Sequence, residues 1–176
     1  FDLAASLCGL LLLAPLLGAI ALWIRLDSPG PVLFRQLRIG RNGVPFDIFK
    51  FRTMTARADG PQLTFSRLEP AGQDARISRA GRFLRQYKLD EWPQQVNVLQ
   101  GTMSVVGPRP EVPRYVACYP PAMRSIVLSV APGITDWASI HYKDENAILG
   151  RASEAEQACI ESVLPAKLEY YARYVR

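Results

Sequence analysis

Apolar and polar positions change regime along the chain. From Leu3 to Ile24 no charged residue interrupts a leucine-dense run, and at ~1.5 Å per helical residue that run reaches ~33 Å, long enough to cross a bilayer. Asp2 precedes it and Trp23, Arg25 and Asp27 close it, an ending suited to an indole and a guanidinium among headgroups. The run is longer than the apolar region of a cleaved signal peptide and leads straight into charged sequence, which argues against cleavage. Pro15 removes a helix hydrogen bond mid-run and clashes with the preceding turn, so a kink is expected near Ala14. Two geometries follow: a bent spanning helix, or one that dips in and leaves by the face it entered. The chain opens at Phe1 without a methionine, from which a preceding stretch is expected.

Beyond Ile24 the pattern becomes that of short elements. After the SPGP turn at Ser28 to Pro31, Val32–Ile39 and Val44–Phe51 read as strands joined by Gly40-Arg41-Asn42-Gly43, a hairpin signal. Residues 53–75 hold Gly60-Pro61 and Pro70 without a sustained period and read as a lid-like excursion. Ser78 to Lys88 reads as a helix with Phe83, Leu84 and Tyr87 on one side. Asp90 is placed as the N-cap of a second short helix, with Pro93 in its first turn, Val96 and Leu99 as its apolar side and Gly101 at its end. Helices over Val112–Tyr119 and Ala122–Val130 are bounded by Pro120-Pro121 and Pro132-Gly133. Ser153 and Glu156 form a capping box for a C-terminal helix interrupted at Pro165, with Leu168, Tyr171 and Val175 at helical spacing. The sum is an α+β fold, predominantly helical, with a small β-hairpin and several short amphipathic helices at the membrane surface.

Composition narrows the partners. A chain of 176 residues is one catalytic unit at most, and 49 % hydrophobic against 21 % charged residues excludes wholesale disorder. The net charge of +5 points to an anionic partner. Its distribution is uneven: Arg25, Arg35, Arg38, Arg41, Lys50 and Arg52 face only Asp27 and Asp47 in the stretch after the apolar run, and Arg76, Arg79, Arg82, Arg85 and Lys88 follow with no acid among residues 76–88. Bases flanking an apolar segment mark the cytoplasmic side, so residues 1–24 are expected in the membrane and 25–176 in the cytoplasm. Cys8, Cys118 and Cys159 offer no disulfide framework, and with His141 the lone histidine a Cys/His zinc site is excluded.

The candidate catalysts are therefore carboxylates, hydroxyls and arginines. Asp90-Glu91 follows a run of bases at an expected helix start, where both carboxylates should stay ionised. An ionised Asp among arginines can hold Mg²⁺ with substrate phosphates or attack phosphorus; a plain N-cap is the alternative. Arg109, fixed between Pro108 and Pro110, can aim its planar fork at a phosphate with little ordering cost. His141 reads as a surface or core residue and Asp144-Glu145 as a solvated pair. The chain carries no DxD, GxxxxGK[ST], GxGxxG or GxSxG motif, which argues against a P-loop kinase, a Rossmann oxidoreductase and a serine hydrolase.

These motifs together resemble the bacterial sugar transferases, the monotopic polyprenyl-phosphate phosphoglycosyl transferases. The resemblance rests on the apolar segment with a central proline, LDSPGPVLFRQLRIGRNGVPFDIFKFRTM (Leu26–Met54), GRFLRQYKLDEWPQQVNVLQGTMSVVGPRP (Gly81–Pro110) and PGIT (Pro132–Thr135). It implies a re-entrant membrane helix kinked at Pro15 and a catalytic domain on the cytoplasmic face of the bacterial inner membrane. It also implies transfer of a sugar-1-phosphate from a UDP-sugar to undecaprenyl phosphate, with Mg²⁺ as cofactor and release of UMP, at the start of surface glycan assembly. Asp90 would attack the β-phosphorus beside Glu91, both near the metal, while Arg85, Arg109, Arg52 and Lys143 neutralise phosphate charge. Membrane lipids are implied as partners and nucleic acid is not. Other readings are a non-catalytic, lipid-binding scaffold and a single-displacement transferase in which Asp90 only holds metal. The chain departs from the family pattern in three places: Ala14-Pro15 replaces the frequent Ser-Pro, Asp136 and Ser139 replace a Gly and a Gln after PGIT, and Lys143 stands where some members place an Arg. The donor pocket is expected to differ accordingly.

Overall fold

The computed structural model describes residues 1–55, 76–141 and 163–176. Helix α1 spans Asp2–Asp27 as one element running through Pro15. Only Ser6, Ile20 and Ile24 along it are buried, whereas Leu3, Leu7, Leu11, Leu12, Leu16 and Leu22 are exposed. A soluble core helix would be mostly covered; just 11 % of the most apolar window of α1 is. Its C-terminal half packs Ile20 and Ile24 against Phe51, Ala80 and Leu84, each large aliphatic side chain contributing about 1.5–3 kcal/mol by burial.

Strands β1 (Leu33–Ile39) and β2 (Pro45–Phe51) form the expected antiparallel hairpin, in a register from Leu33 opposite Phe51 to Ile39 opposite Pro45. Its connection places Asn42 and Gly43 at φ 57° and 77°, the left-handed pair that an Asn-Gly sequence accommodates. Helix α2 (Arg79–Gln86) begins where expected: Ser78 Oγ accepts from Gly81 N at 2.9 Å, and Asp27 Oδ2, at the end of α1, accepts from Ala80 N at 3.0 Å. Two first-turn amides are thereby satisfied, one of them by the apolar helix. Gly81 is obligatory, since a Cβ there would lie 2.0 Å from Thr53 O. Of the expected excursion over 53–75, Met54 bridges Ile77 and residues 56–75 lie outside the described residues.

The next segment corrects the sequence reading. Asp90 is not an N-cap: Leu89–Glu91 form a 3-10 turn entered through Lys88 at φ 56°, and helix α3 (Gln94–Leu99) starts after Pro93. Nor are Val96 and Leu99 its inward side. Gln94, Asn97 and Val98 are buried while Val96 and Leu99 are exposed: Asn97 hydrogen-bonds the edge of β2 and Val98 packs with Ile48 and Met103, which turns this side of the helix inward. Gly101, at φ 75°, ends the helix as expected.

A second sheet, a parallel pair of β3 (Ser104–Val106) and β4 (Gly133–Thr135), is not foreshadowed by the sequence, because three-residue strands carry no readable period. Helices α4 (Pro113–Ala117), α5 (Pro121–Val127), α6 (Trp137–His141) and α7 (Leu164–Val175) follow. Val116, Tyr119, Val127, Ala138, Leu164, Leu168 and Tyr171 form the core between them. Pro165 lies in the first turn of α7, where its missing N–H costs nothing; the Ser153–Glu156 capping box lies outside the described residues. The architecture is mixed helix and sheet, mainly helical, with an N-terminal apolar helix and a small antiparallel sheet.

Candidate active site

Three segments distant in sequence meet at Asp90-Glu91: β2 brings Lys50, the 3-10 turn brings the dyad, and the loop after β3 brings Arg109. Glu91 is the centre of the charge arrangement. Arg109 grips it with both arms of the fork, Nη1 donating to Oε2 at 3.2 Å and Nη2 donating to Oε1. Lys50 Nζ adds a bond to Oε1 at 2.8 Å. Burial pushes the Glu91 carboxyl up, but Arg109 and Lys50 outweigh it and hold the group at about 2. The same burial lowers Lys50, against the pull of Glu91, whereas for Arg109 the carboxylates Glu91 and Glu111 outweigh burial and raise it.

Asp90 behaves differently from its neighbour. Burial raises its carboxyl above the ordinary range and Glu91 adds to the rise, while Lys50 and Arg85 oppose it. The helix start expected to favour both carboxylates as anions is absent here, and burial is the largest influence on Asp90. Among the described residues no other side chain hydrogen-bonds it. One carboxylate is therefore pinned by two cations and strongly acidic, and the adjacent one takes a backbone hydrogen bond but no side-chain clamp of that kind among the described residues.

The other expected residues take different places. Arg85, on α2, donates from Nε to Thr53 Oγ1 at 2.9 Å and lies close enough to act on Asp90 electrostatically. Arg109 is backed by Arg38, which donates to Pro110 O at 3.0 Å and pairs with Glu111 at 3.6 Å, so β1 steadies the GPRP loop. Arg52 is engaged elsewhere: it is buried and donates to Pro29 O at 2.6 Å, Ser28 O at 2.7 Å, Ser28 Oγ at 3.0 Å and Ile24 O at 3.3 Å. That guanidinium closes the end of α1. Lys143 lies outside the described residues. His141 is exposed and stacks on Tyr170 at 4.9 Å between centroids, apart from the dyad's hydrogen-bond network.

Lys50 is the residue that sequence reasoning missed. It counted there as one base among many, and only the strand period, which puts Lys50 and Ile48 on one face of β2, could have singled it out. Asp136 and Ser139, the departures after PGIT, prove to be one unit: Asp136 Oδ1 accepts from Ser139 N at 2.8 Å and its Oδ2 accepts from Ser139 Oγ, capping α6.

The donor set can be weighed for Mg²⁺ on this geometry. Asp90 supplies hard oxygens, those of Glu91 are taken by Arg109 and Lys50, and no group of three or more metal-ligating side chains forms among the described residues. That suits a cation held by one or two carboxylates and substrate phosphates better than an all-protein cage.

The profile of the family described as "Bacterial sugar transferase" matches residues 1–175. A UDP-glucose:undecaprenyl-phosphate glucose-1-phosphate transferase of Escherichia coli (strain K12) is 42 % identical over 142 residues, 80 % of this chain and 30 % of that protein. An undecaprenyl-phosphate glucose phosphotransferase of Komagataeibacter xylinus is 45 % identical over 175 residues, 97 % of this chain and 31 % of that protein. A UDP-N-acetylgalactosamine-undecaprenyl-phosphate N-acetylgalactosaminephosphotransferase of Aeromonas hydrophila is 35 % identical over 162 residues, 91 % of this chain and 36 % of that protein. The chain thus spans about a third of the length of these relatives. With the match running nearly end to end and the dyad, the GPRP loop and the apolar helix in one structure, this chain belongs to the bacterial sugar transferase family.

Proposed function

We propose that the chain is a phosphoglycosyl transferase that moves a sugar-1-phosphate from a UDP-sugar to undecaprenyl phosphate through an ester on Asp90. The observation that carries the reading is the division of labour in the dyad: Glu91 is locked between Arg109 and Lys50, while Asp90, raised by burial, is clamped by no side chain among the described residues and is the carboxylate left to react. An Asp90 oxygen forms a bond to the β-phosphorus of the donor. The bond from that phosphorus to the bridging oxygen breaks, and UMP leaves with the electron pair. A phosphate oxygen of the lipid then attacks the same phosphorus and Asp90 departs as carboxylate, so one small site serves a soluble and a membrane-bound substrate in turn. Asp90 would hold Mg²⁺ together with the donor phosphates, while Glu91, expected beside it at the metal, has its oxygens taken by Arg109 and Lys50; when bound, the ion supplies charge neutralisation on the phosphoryl oxygens. Arg85, Lys50 and Arg109 contribute fixed positive charge to the same end. Arg109 does so as part of the Glu91 fork, and Lys143 is proposed as a further phosphate contact.

Membrane attachment by re-entry is the second part of the reading. Both ends of α1 are tied to one body. Near its start, Asp2 Oδ2 accepts from Ser104 Oγ at 2.6 Å, and Gly9 lies against Gln95 so closely that a Cβ would sit 2.6 Å from Oε1. At its end, Arg52 and Asp27 clamp it to the SPGP turn and α2. This supports a helix that enters and leaves on the cytoplasmic face rather than crossing. Trp23, Phe83 and Tyr87, packed as tilted rings at 5.5 and 4.7 Å between successive centroids and exposed, as are Arg79 and Arg82, fit a headgroup-level belt.

Incubation with a UDP-sugar and Mg²⁺ but without lipid, followed by intact mass spectrometry, tests the ester. A phosphosugar adduct is expected, and Asp90→Asn should abolish both adduct and UMP release. Lack of any adduct in a protein that still turns over with lipid would refute the nucleophile and leave Asp90 a metal ligand; no turnover with any of a panel of UDP-sugars would favour a scaffold. Cysteine labelling near Arg25 and at an extended N-terminus checks topology, with labels on opposite faces counting against re-entry.

A further inference from the structure

Asparagine is a poor helix-interior residue, because its amide competes for backbone partners, yet Asn97 lies inside α3 and is fully buried. Its amide is spent on the outer edge of β2. Oδ1 accepts from Phe49 N at 3.0 Å and Nδ2 donates to Asp47 O at 2.8 Å. One acceptor and one donor offered to positions two apart on a single edge is the pattern a neighbouring strand would present. With β1 paired on the other side, Asn97 takes the place of a third strand.

This contact fixes register as well as distance. Lys50 follows Phe49 directly and reaches Glu91 at 2.8 Å, and Glu91 belongs to the turn that leads into α3. Asn97 and Lys50 are therefore two ties between the same pair of elements, one neutral and one charged. The backbone carbonyl of Asn97 also accepts from Thr102 N at 3.1 Å and Met103 N at 3.3 Å, which anchors the segment leading into β3 and on to Arg109. Slippage of β2 along α3 would carry Lys50 off Glu91, and nothing in the Lys50 side chain itself, with its rotatable stem, would resist that.

We propose that Asn97 is a positioning residue for the transfer reaction: its amide holds β2 in the register that sets Lys50 on Glu91 and beside Asp90. The inference rests on the Asp90-Glu91 dyad as the reacting centre. Its test is a double-mutant cycle on the full chain in lipid nanodiscs, with UMP release in the presence of undecaprenyl phosphate as the readout. Asn97→Ala should lower kcat roughly ten- to hundredfold, the cost of misplacing a catalytic group by about an ångström. In a Lys50→Met background the same substitution should cost less than about threefold, because its effect is routed through Lys50. A loss in that background equal to the loss in wild type would overturn the proposal, since a residue that only stabilises the fold gives effects that multiply. Thr102→Val, which removes a hydroxyl contact to Asn97 but none to β2, should leave kcat within about twofold. If Asn97→Ala yields no folded protein, Asn97→Asp, which keeps the shape and the acceptor for Phe49 N, gives the same cycle and the same criterion. Absence of the Asp90 ester leaves this cycle readable, and multiplying losses leave the ester assignment standing.

Discussion

Replacing Arg109 by alanine strips Glu91 of the fork that covers both its oxygens and leaves Lys50 as the remaining bonded cation. The Glu91 side chain is only 13 % exposed, so solvent does little to screen the change. In the folded protein its carboxyl sits at about 2 against an ordinary 4.5, a difference worth about 3 kcal/mol of folding stability. Because the folded-state pKa is depressed, that contribution is complete above about pH 4.5 and disappears as pH falls through about 2. Arg109 is the larger of the two opposing charges, so roughly 2 kcal/mol should be lost at pH 7 in the alanine variant, or about 4–8 °C in Tm for a chain of this size. Thermal unfolding in mild detergent, followed from pH 7 down to pH 3, measures it. The gap between wild type and variant should be widest at neutral pH and narrow below pH 4.5. A gap that stays constant over the whole range, or none at pH 7, would refute the assignment of Arg109 as the group that holds Glu91 ionised. UMP release should fall in parallel at pH 7.

Further outcomes follow from single contacts. Arg52→Ala removes four hydrogen bonds at the end of α1 and exposes nothing at the dyad, so it should lower Tm and loosen α1 in hydrogen exchange while changing kcat less than Arg109→Ala does. Gly133→Ala would place a Cβ 2.1 Å from Gly107 N, and the backbone on both sides has to shift; a Tm loss equivalent to about 1–3 kcal/mol is expected from such overpacking. Lys88→Gly relieves a left-handed residue at the entrance to the dyad turn and should raise stability by about 1 kcal/mol, measured by chemical denaturation.

Sequence and structure agree where periodicity or special backbone chemistry is strong. Leu3 to Ile24 announces α1, Asn42-Gly43 fixes the hairpin and Ser78 caps α2, each because a local interaction decides the outcome. Agreement fails at α3, where hydrophobic pattern points Val96 and Leu99 inward and the partner, an unpaired strand edge, instead selects Asn97. Arg109 and Glu91 were legible as chemistry, but their mutual grip was not, since it joins loops whose approach depends on the packing of β2, α3 and β3. Arg52 shows the converse: a basic residue in a motif reads as a phosphate contact, while the carbonyls at the end of α1 are its partners here. Lys50 could not be distinguished from its basic neighbours until the register of β2 was known.

The face-to-face contact of Gly107 and Gly133 joins the GPRP loop to the PGIT strand with no room for a methyl group on either side. The two segments are separate lines of text in the sequence but one rigid part in space. A chimera that exchanges one of these segments between family members must therefore transplant both together, since importing one alone sets a foreign backbone against a native one at a seam with no space for a Cβ.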